Sequence, residues 1–306
     1  MSITAALVKD LRTATGAGMM DCKKALTETD GDLDAAIDWL RKKGLSAAAK
    51  KSSRVASEGL VGVSANGTVG TLVEVNSETD FVARNEDFQT FVSTLAGLAA
   101  DADNIDALAG MDYPGTGRNV SEELTDKIAT IGENMSLRRM EKLSVSEGAV
   151  ISYIHNAAAE GLGRIGVLVA LESSASADVL NGLGKQLAMH VAAAAPASLS
   201  TEDLDQDMVA KERQILIDQA VQSGKPADIA EKMVEGRMKK FMKEVVMLEQ
   251  VFVMDGETPV NQVIANAAKE AGADITMTGF ARFNLGEGIE KEESDFVAEV
   301  AAQLGN

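Results

Sequence analysis

Apolar positions near the start of the chain recur at helical spacing: Ile3, Leu7 and Leu11, then, after Gly16-Ala17-Gly18, a second run from Met19 to Leu26. Thr29-Asp30-Gly31-Asp32 reads as a turn. Asp32 suits the N-cap of a third helix whose Leu33, Ala36, Ile37 and Leu40 share one face, with Arg41-Lys42-Lys43 and Gly44 as its expected end. These three helices suffice for a small bundle, and the basic, small-residue stretch 46–54 reads as a helical tail running into a linker. From 59 to 75 the period falls to two, with Val61 and Val63 before Asn66-Gly67 and Val69, Leu72, Val73 and Val75 after it, the signature of a hairpin. A helix with Phe88, Phe91, Val92, Leu95 and Leu98 inward follows, then an acidic stretch and a loop around Tyr113-Pro114-Gly115. Ser121 is the expected cap of the next helix, with Leu124, Ile128 and Ile131 inward, and the pattern is extended from Met135 to Val145.

The same order then recurs. Val150 to His155 and Arg164 to Leu171 read as a second hairpin, followed by a helix with Val179, Leu183 and Leu187, and much later by a helix from Val260 to Ala271 and a strand from Ile275 to Leu285. The likeness lies in element order and not in residues, and it points to an internal duplication. Interposed is a charged segment, 201–246, with Leu204, Met208, Ile215, Ile229, Met233, Met238, Phe241 and Val245 at helical intervals. Gly224-Lys225-Pro226 breaks it into two helices expected to pack antiparallel as a protruding hairpin. Phe296, Val297 and Val300 mark a short acidic helix at the end. The expected class is α+β, with a helical module and linker at 1–54, a first core block at 55–147, a second at 148–285 interrupted by the hairpin at 201–246, and a C-terminal module at 286–306.

Charge narrows the function. Across 306 residues, 47 Asp and Glu against 29 Lys and Arg leave a net charge of −18, the wrong sign for nucleic acid as a main partner. The single cysteine, Cys22, cannot form an internal disulfide, and a reduced cytoplasm is the expected compartment. The start MSITAALVKDLR lacks the pattern of a signal peptide, and the longest apolar runs, such as Val191 to Ala197, are too short to span a membrane. Gly161-Leu162-Gly163-Arg164-Ile165-Gly166 matches the dinucleotide fingerprint in letters, but its glycines precede a strand instead of opening a helix, so a hairpin turn is expected. Asp101, Asp103 and Asp106 lack the glycine and terminal glutamate of a calcium loop. His155 and His190 have no neighbourhood of nucleophile or carboxylate and read as structural. Nothing here assembles catalytic chemistry, a cofactor site or a metal site. The segment Glu78-Thr79-Asp80-Phe81-Val82-Ala83-Arg84-Asn85 leaves two readings open: Asp80 caps a helix and Phe81 fills the core, or the pair is a probe that inserts a ring and a charge into a partner.

Several strings occur in one order along the chain: Thr15 to Leu26 (TGAGMMDCKKAL), Glu74 to Ala83 (EVNSETDFVA), Ile131-Gly132-Glu133-Asn134, Arg164 to Val169, Gln222 to Pro226 and Ile229 to Arg237. Through them the chain resembles, over nearly its whole length, the bacterial elongation factor Ts family, exchange factors for elongation factor Tu. The resemblance implies an N-terminal module similar to a ubiquitin-associated domain, two related α+β core subdomains, an antiparallel coiled-coil hairpin and a C-terminal helical module. It also implies that the protein binds elongation factor Tu in its GDP-bound and nucleotide-free forms, perturbs the magnesium site and promotes GDP release, with no chemistry, cofactor or membrane of its own. In the family a Thr-Asp-Phe-Val loop displaces that magnesium; carried over, Asp80 and Phe81 are the effectors, with Thr79 and Val82 shaping the loop. Met19, Met20 and Lys23 match the module that touches the partner, and Ile131, Gly132 and His155 match further positions near it. After His155 the chain runs Asn156 to Gly163 where the family turns more tightly. On the residues alone, the alternative is a scaffold or peptide-binding protein without exchange activity.

Overall fold

The computed structural model describes residues 3–15, 17–224 and 227–290; the expected helix at Phe296, Val297 and Val300 lies outside the described residues, as do Gly16, Lys225 and Pro226. Helices and strands are mixed along the chain, as an α+β protein requires. It divides into two units, Met1–Val61 with Val73–Met140 and Asn284–Asn306, and Gly62–Leu72 with Glu141–Phe283.

The first unit opens with α1 (Ala5–Thr15), α2 (Met19–Glu28) and α3 (Leu33–Lys51). Leu11, Cys22, Ala25, Leu26 and Ala36 form their small core, with Leu7, Leu33, Trp39 and Leu40 packed around it. Trp39, and not Ile37, completes the inward stripe of α3, and Ile37 is exposed. Asp32 caps α3 through the Ala35 amide, as expected. The helix does not stop at Gly44. That glycine is buried, and a Cβ on it would lie 3.3 Å from the Ala129 Cβ, so it lets two helices approach instead of ending one. Ala48, Ala49 and the basic Lys50-Lys51 then sustain the last turns.

A hairpin of β1 (Glu58–Asn66) and β2 (Val69–Ser77) turns at Gly67, whose φ of +59° explains the glycine. In α4 (Glu86–Leu98), Phe88, Phe91, Val92 and Leu95 are buried. A short helix that the acidic pattern concealed follows, α5 (Ile105–Gly110), capped by Asn104 and burying only Leu108. Asn119, not Ser121, caps α6 (Val120–Ile131), in a reciprocal capping box with Glu122. The cap needs an extended backbone, which Asn119 has and the helical Ser121 lacks. Gly132 ends α6 in the left-handed conformation, and β3 (Met135–Ser144) returns beside β2. Beneath lies Glu74, fully buried, which accepts from Arg138, Arg139, Asn76 and the Gly286 amide. Burial alone raises its carboxyl pKa, but those donors outweigh burial and hold it below the ordinary 4.5.

In the second unit β4 (Gly148–Ala159) and β5 (Leu162–Glu172) pair antiparallel, with Ile151 opposite Val169, His155 opposite Ile165 and a bulge between Ala157 and Ala159. The tip of the first hairpin and β6 (Thr276–Asn284) both pair with β5. On this sheet lies α7 (Ala177–Ala194), with Leu180 buried where Val179 was expected. Its phase is set by Gly184, since a Cβ there would meet the Ile151 Cδ1 at 2.5 Å; Leu180 and Leu187 share that side. Then come α8 (Gln206–Gln222), α9 (Ala227–Val245) and α10 (Val260–Ala271). Helices α8 and α9 own a separate core of Leu216, Ala220, Val234 and Met238, with Phe241 packed against it; Met238 and Phe241 lie on the expected seam, Leu216 and Val234 take the places expected for Ile215 and Met233, and Met208, Ile215 and Ile229 are exposed.

With α5 and the α8–α9 pair set aside, hairpin, helix, helix and strand occur twice in order. Local bonds repeat too. Before α6 the Tyr113 amide donates to the Arg118 carbonyl and that of Val120 to Met111; before α10 the Phe252 amide donates to Thr258 and that of Val260 to Gln250. Gly59 (φ +120°) and Gly148 (φ +123°) begin the two hairpins, where a Cβ would meet the Val75 oxygen at 2.2 Å and the Leu171 oxygen at 2.1 Å.

Candidate functional site

Strand β2 delivers the chain into the 78–85 loop, and each end of that loop is anchored. At the near end, the Ser77 hydroxyl donates to the Thr79 carbonyl at 3.0 Å. The Thr79 amide donates to Glu133 Oε2 at 2.9 Å and its hydroxyl to Glu133 Oε1 at 2.6 Å. Glu78 answers by accepting from the Asn134 amide and pairing with Arg54 at 3.4 Å. At the far end Val82 is buried, Arg84 closes a 3-10 turn by donating to the Phe81 carbonyl at 3.1 Å, and Asn85 caps α4.

Asp80 and Phe81 lie between these anchors. Phe81 is 72% exposed, so it fills no core of this chain, and the cap of α4 is Asn85 and not Asp80. The core-and-cap reading of the pair is thereby overturned. Asp80 reaches Arg84 only at 3.9 Å with both side chains in water, a pairing of little energetic weight. A large apolar ring held outward on a bonded loop, beside a solvent-facing carboxylate, can bind without performing a reaction.

The other expected residues are placed as follows. Met19 and Met20 open α2 and are 61% and 76% exposed, with Lys23 exposed one turn on. Ile131 is the last residue of α6, half-buried, and Gly132 (φ +93°) swings the chain so that Glu133 follows directly toward Thr79. His155 belongs to the second unit, exposed on β4, with its Nδ1 3.1 Å from the Tyr153 hydroxyl. Gly161 sits at the β4–β5 turn (φ +69°) and Gly163 and Gly166 inside β5, the hairpin context expected for that string. Among the described residues, no group of three or more His, Cys, Asp or Glu is arranged to hold a metal ion. Residue patterns missed the roles of Glu78 and Glu133. Both lie in strings that carry the family resemblance, but nothing in either string names the other as its partner until the fold brings the two segments together.

The family model described as Elongation factor TS matches residues 78–287, which include this loop and its Glu133 anchor. The chain is 66% identical over 305 residues to the elongation factor Ts of Sphingopyxis alaskensis, covering 99% of each chain. It is 60% identical to that of Rhodospirillum centenum, covering 99% of each, and 61% identical to that of Rhizorhabdus wittichii, covering 99% of this chain and 98% of that one. With a match across most of its length and such identities end to end, the chain belongs to the elongation factor Ts family.

Proposed function

We propose that the protein is a guanine nucleotide exchange factor that binds elongation factor Tu in its GDP-bound and nucleotide-free forms and promotes GDP release during translation elongation in the cytoplasm. The observation that carries this reading is the exposed Phe81 ring beside Asp80 on a loop anchored at both ends. In this mechanism the ring and carboxylate enter the partner near its magnesium site, with Thr79 and Val82 holding the loop's shape. Met19, Met20, Lys23, Ile131, Gly132 and His155 make further contacts. The factor needs no cofactor or chemistry of its own. It has to bind the nucleotide-free partner more tightly than the GDP-bound one, and by linkage the same factor weakens GDP. Each tenfold shift takes about 1.4 kcal/mol, within reach of one inserted aromatic and a disturbed cation site.

In the same reading, 1–54 is a module similar to a ubiquitin-associated domain, 55–147 and 148–285 are related subdomains, 201–246 is a coiled-coil insertion and 286–306 a C-terminal module. The repeated loop bonds before α6 and α10 and the hairpin glycines support the duplication. Release of labelled GDP from elongation factor Tu, with and without the protein, is the test. Strong acceleration is expected; binding without acceleration would leave a scaffold.

A further inference from the structure

The geometry assigns Glu133 as a positioning residue of the exchange loop: its carboxylate, delivered by the Gly132 turn, holds Thr79 by two bonds and thereby aims Phe81 and Asp80 outward before any partner arrives. This rests on the exchange reading above and adds to it a residue that acts through Thr79.

Every polar group of Thr79 is engaged. Its amide and hydroxyl donate to the two oxygens of Glu133, at 2.9 and 2.6 Å, and its carbonyl accepts from Ser77 at 3.0 Å. The hold is reciprocal, because Glu78 accepts from the Asn134 amide while the Asn134 side chain donates to the Arg54 carbonyl at 2.7 Å. Two neighbouring residues on each segment thus exchange carboxylate-to-amide bonds, charge-assisted and stronger than neutral ones. Val82, buried, is the second anchor. Only two residues, Asp80 and Phe81, lie between the anchors. A loop held on one side only would leave the ring to sample many directions, and that freedom would be lost on binding. Gly132 serves this hold through its conformation: its φ is +93° and a Cβ on it would meet nothing within 4 Å. The turn, and not space, requires glycine, and it is the turn that carries Glu133 to Thr79.

The test is a double-mutant cycle on the full-length protein, with labelled GDP release from elongation factor Tu as readout and thermal melting as the folding control. Glu133→Ala is expected to slow release at saturating factor tenfold or more, roughly, with little change in melting midpoint. In a Phe81→Ala background the same substitution should cost a clearly smaller factor, because only Asp80 is left to aim. Glu133→Gln, which keeps one acceptor, should recover part of the loss. If Glu133→Ala unfolds the protein, Thr79→Val takes its place: it removes only the hydroxyl bond, should show the same dependence on Phe81, and Thr79→Ser should restore release. Equal fold-losses in both backgrounds would overturn the assignment, since Glu133 would then act by another route. Slow release in Phe81→Ala with normal release in both Glu133→Ala and Thr79→Val would overturn the positioning role and leave the exchange reading standing. Normal release in Phe81→Ala itself would overturn both.

Discussion

Replacing Phe81 by alanine separates two costs. A buried ring lost from a core lowers stability by about 3–5 kcal/mol. Phe81 is largely in water, so the melting midpoint should scarcely move while GDP release slows by orders of magnitude. Asp80→Asn keeps the shape and removes the charge; exchange should weaken at unchanged stability and depend less on magnesium than in the wild type. Stopped-flow release over a magnesium series reads both. A second residue, His190, makes a prediction about pH. It is fully buried, its Nδ1 accepts from the Val253 amide at 3.2 Å, and Nε2 must therefore carry the proton it shares with Gln250 at 2.9 Å. Burial lowers its pKa below the ordinary 6.5, and the Gln250 bond opposes this only in part. The unfolded chain thus takes up the proton first as pH falls. The contribution is complete above 6.5 and is lost as pH drops through that value toward the folded one. Denaturant unfolding from about pH 8 to about pH 5 should show this decline, and His190→Gln should flatten it at some cost in stability.

At the level of elements, the α8–α9 pair should be dispensable for exchange. Its core is its own, and its two ends are already neighbours, since Ala197 donates to the Val245 carbonyl at 2.8 Å and Met247 to that of Ser198 at 2.9 Å. Replacing it with a short Gly-Ser turn should leave a cooperatively melting protein with exchange largely intact. A soluble, folded variant that releases no GDP would instead put the pair on the active surface. The pair also shows what a sequence makes legible. Periodicity found both helices, because a helix needs only one apolar side. It chose Ile215 over Leu216, and Val179 over Leu180, because adjacent apolar residues fit the same period and only the opposing surface decides between them. The 78–85 loop was visible as a motif, whereas Glu133, 54 residues beyond Thr79, was joined to it only by the fold. Asn119 and α5 were missed for a related reason: several polar residues in a row can each cap, and the backbone selects one.

On the scale of the whole molecule, the continuity of α3 through Gly44 ties the N-terminal helices to α6. Gly44→Leu should force the two helices apart and cost about 1–3 kcal/mol. Differential scanning calorimetry measures the loss. The same uninterrupted helix bears on how the partner is gripped. Nineteen residues of helix form a rod of roughly 28 Å, so Met19 and Met20 are not carried on a leash. A leash would let two weak attachments find their targets at any spacing within reach, trading effective concentration for tolerance. A rod sets one spacing, so with the contacts proposed above the factor would measure its partner as a caliper does, and a partner whose two attachment points had drifted apart would fit only one of them.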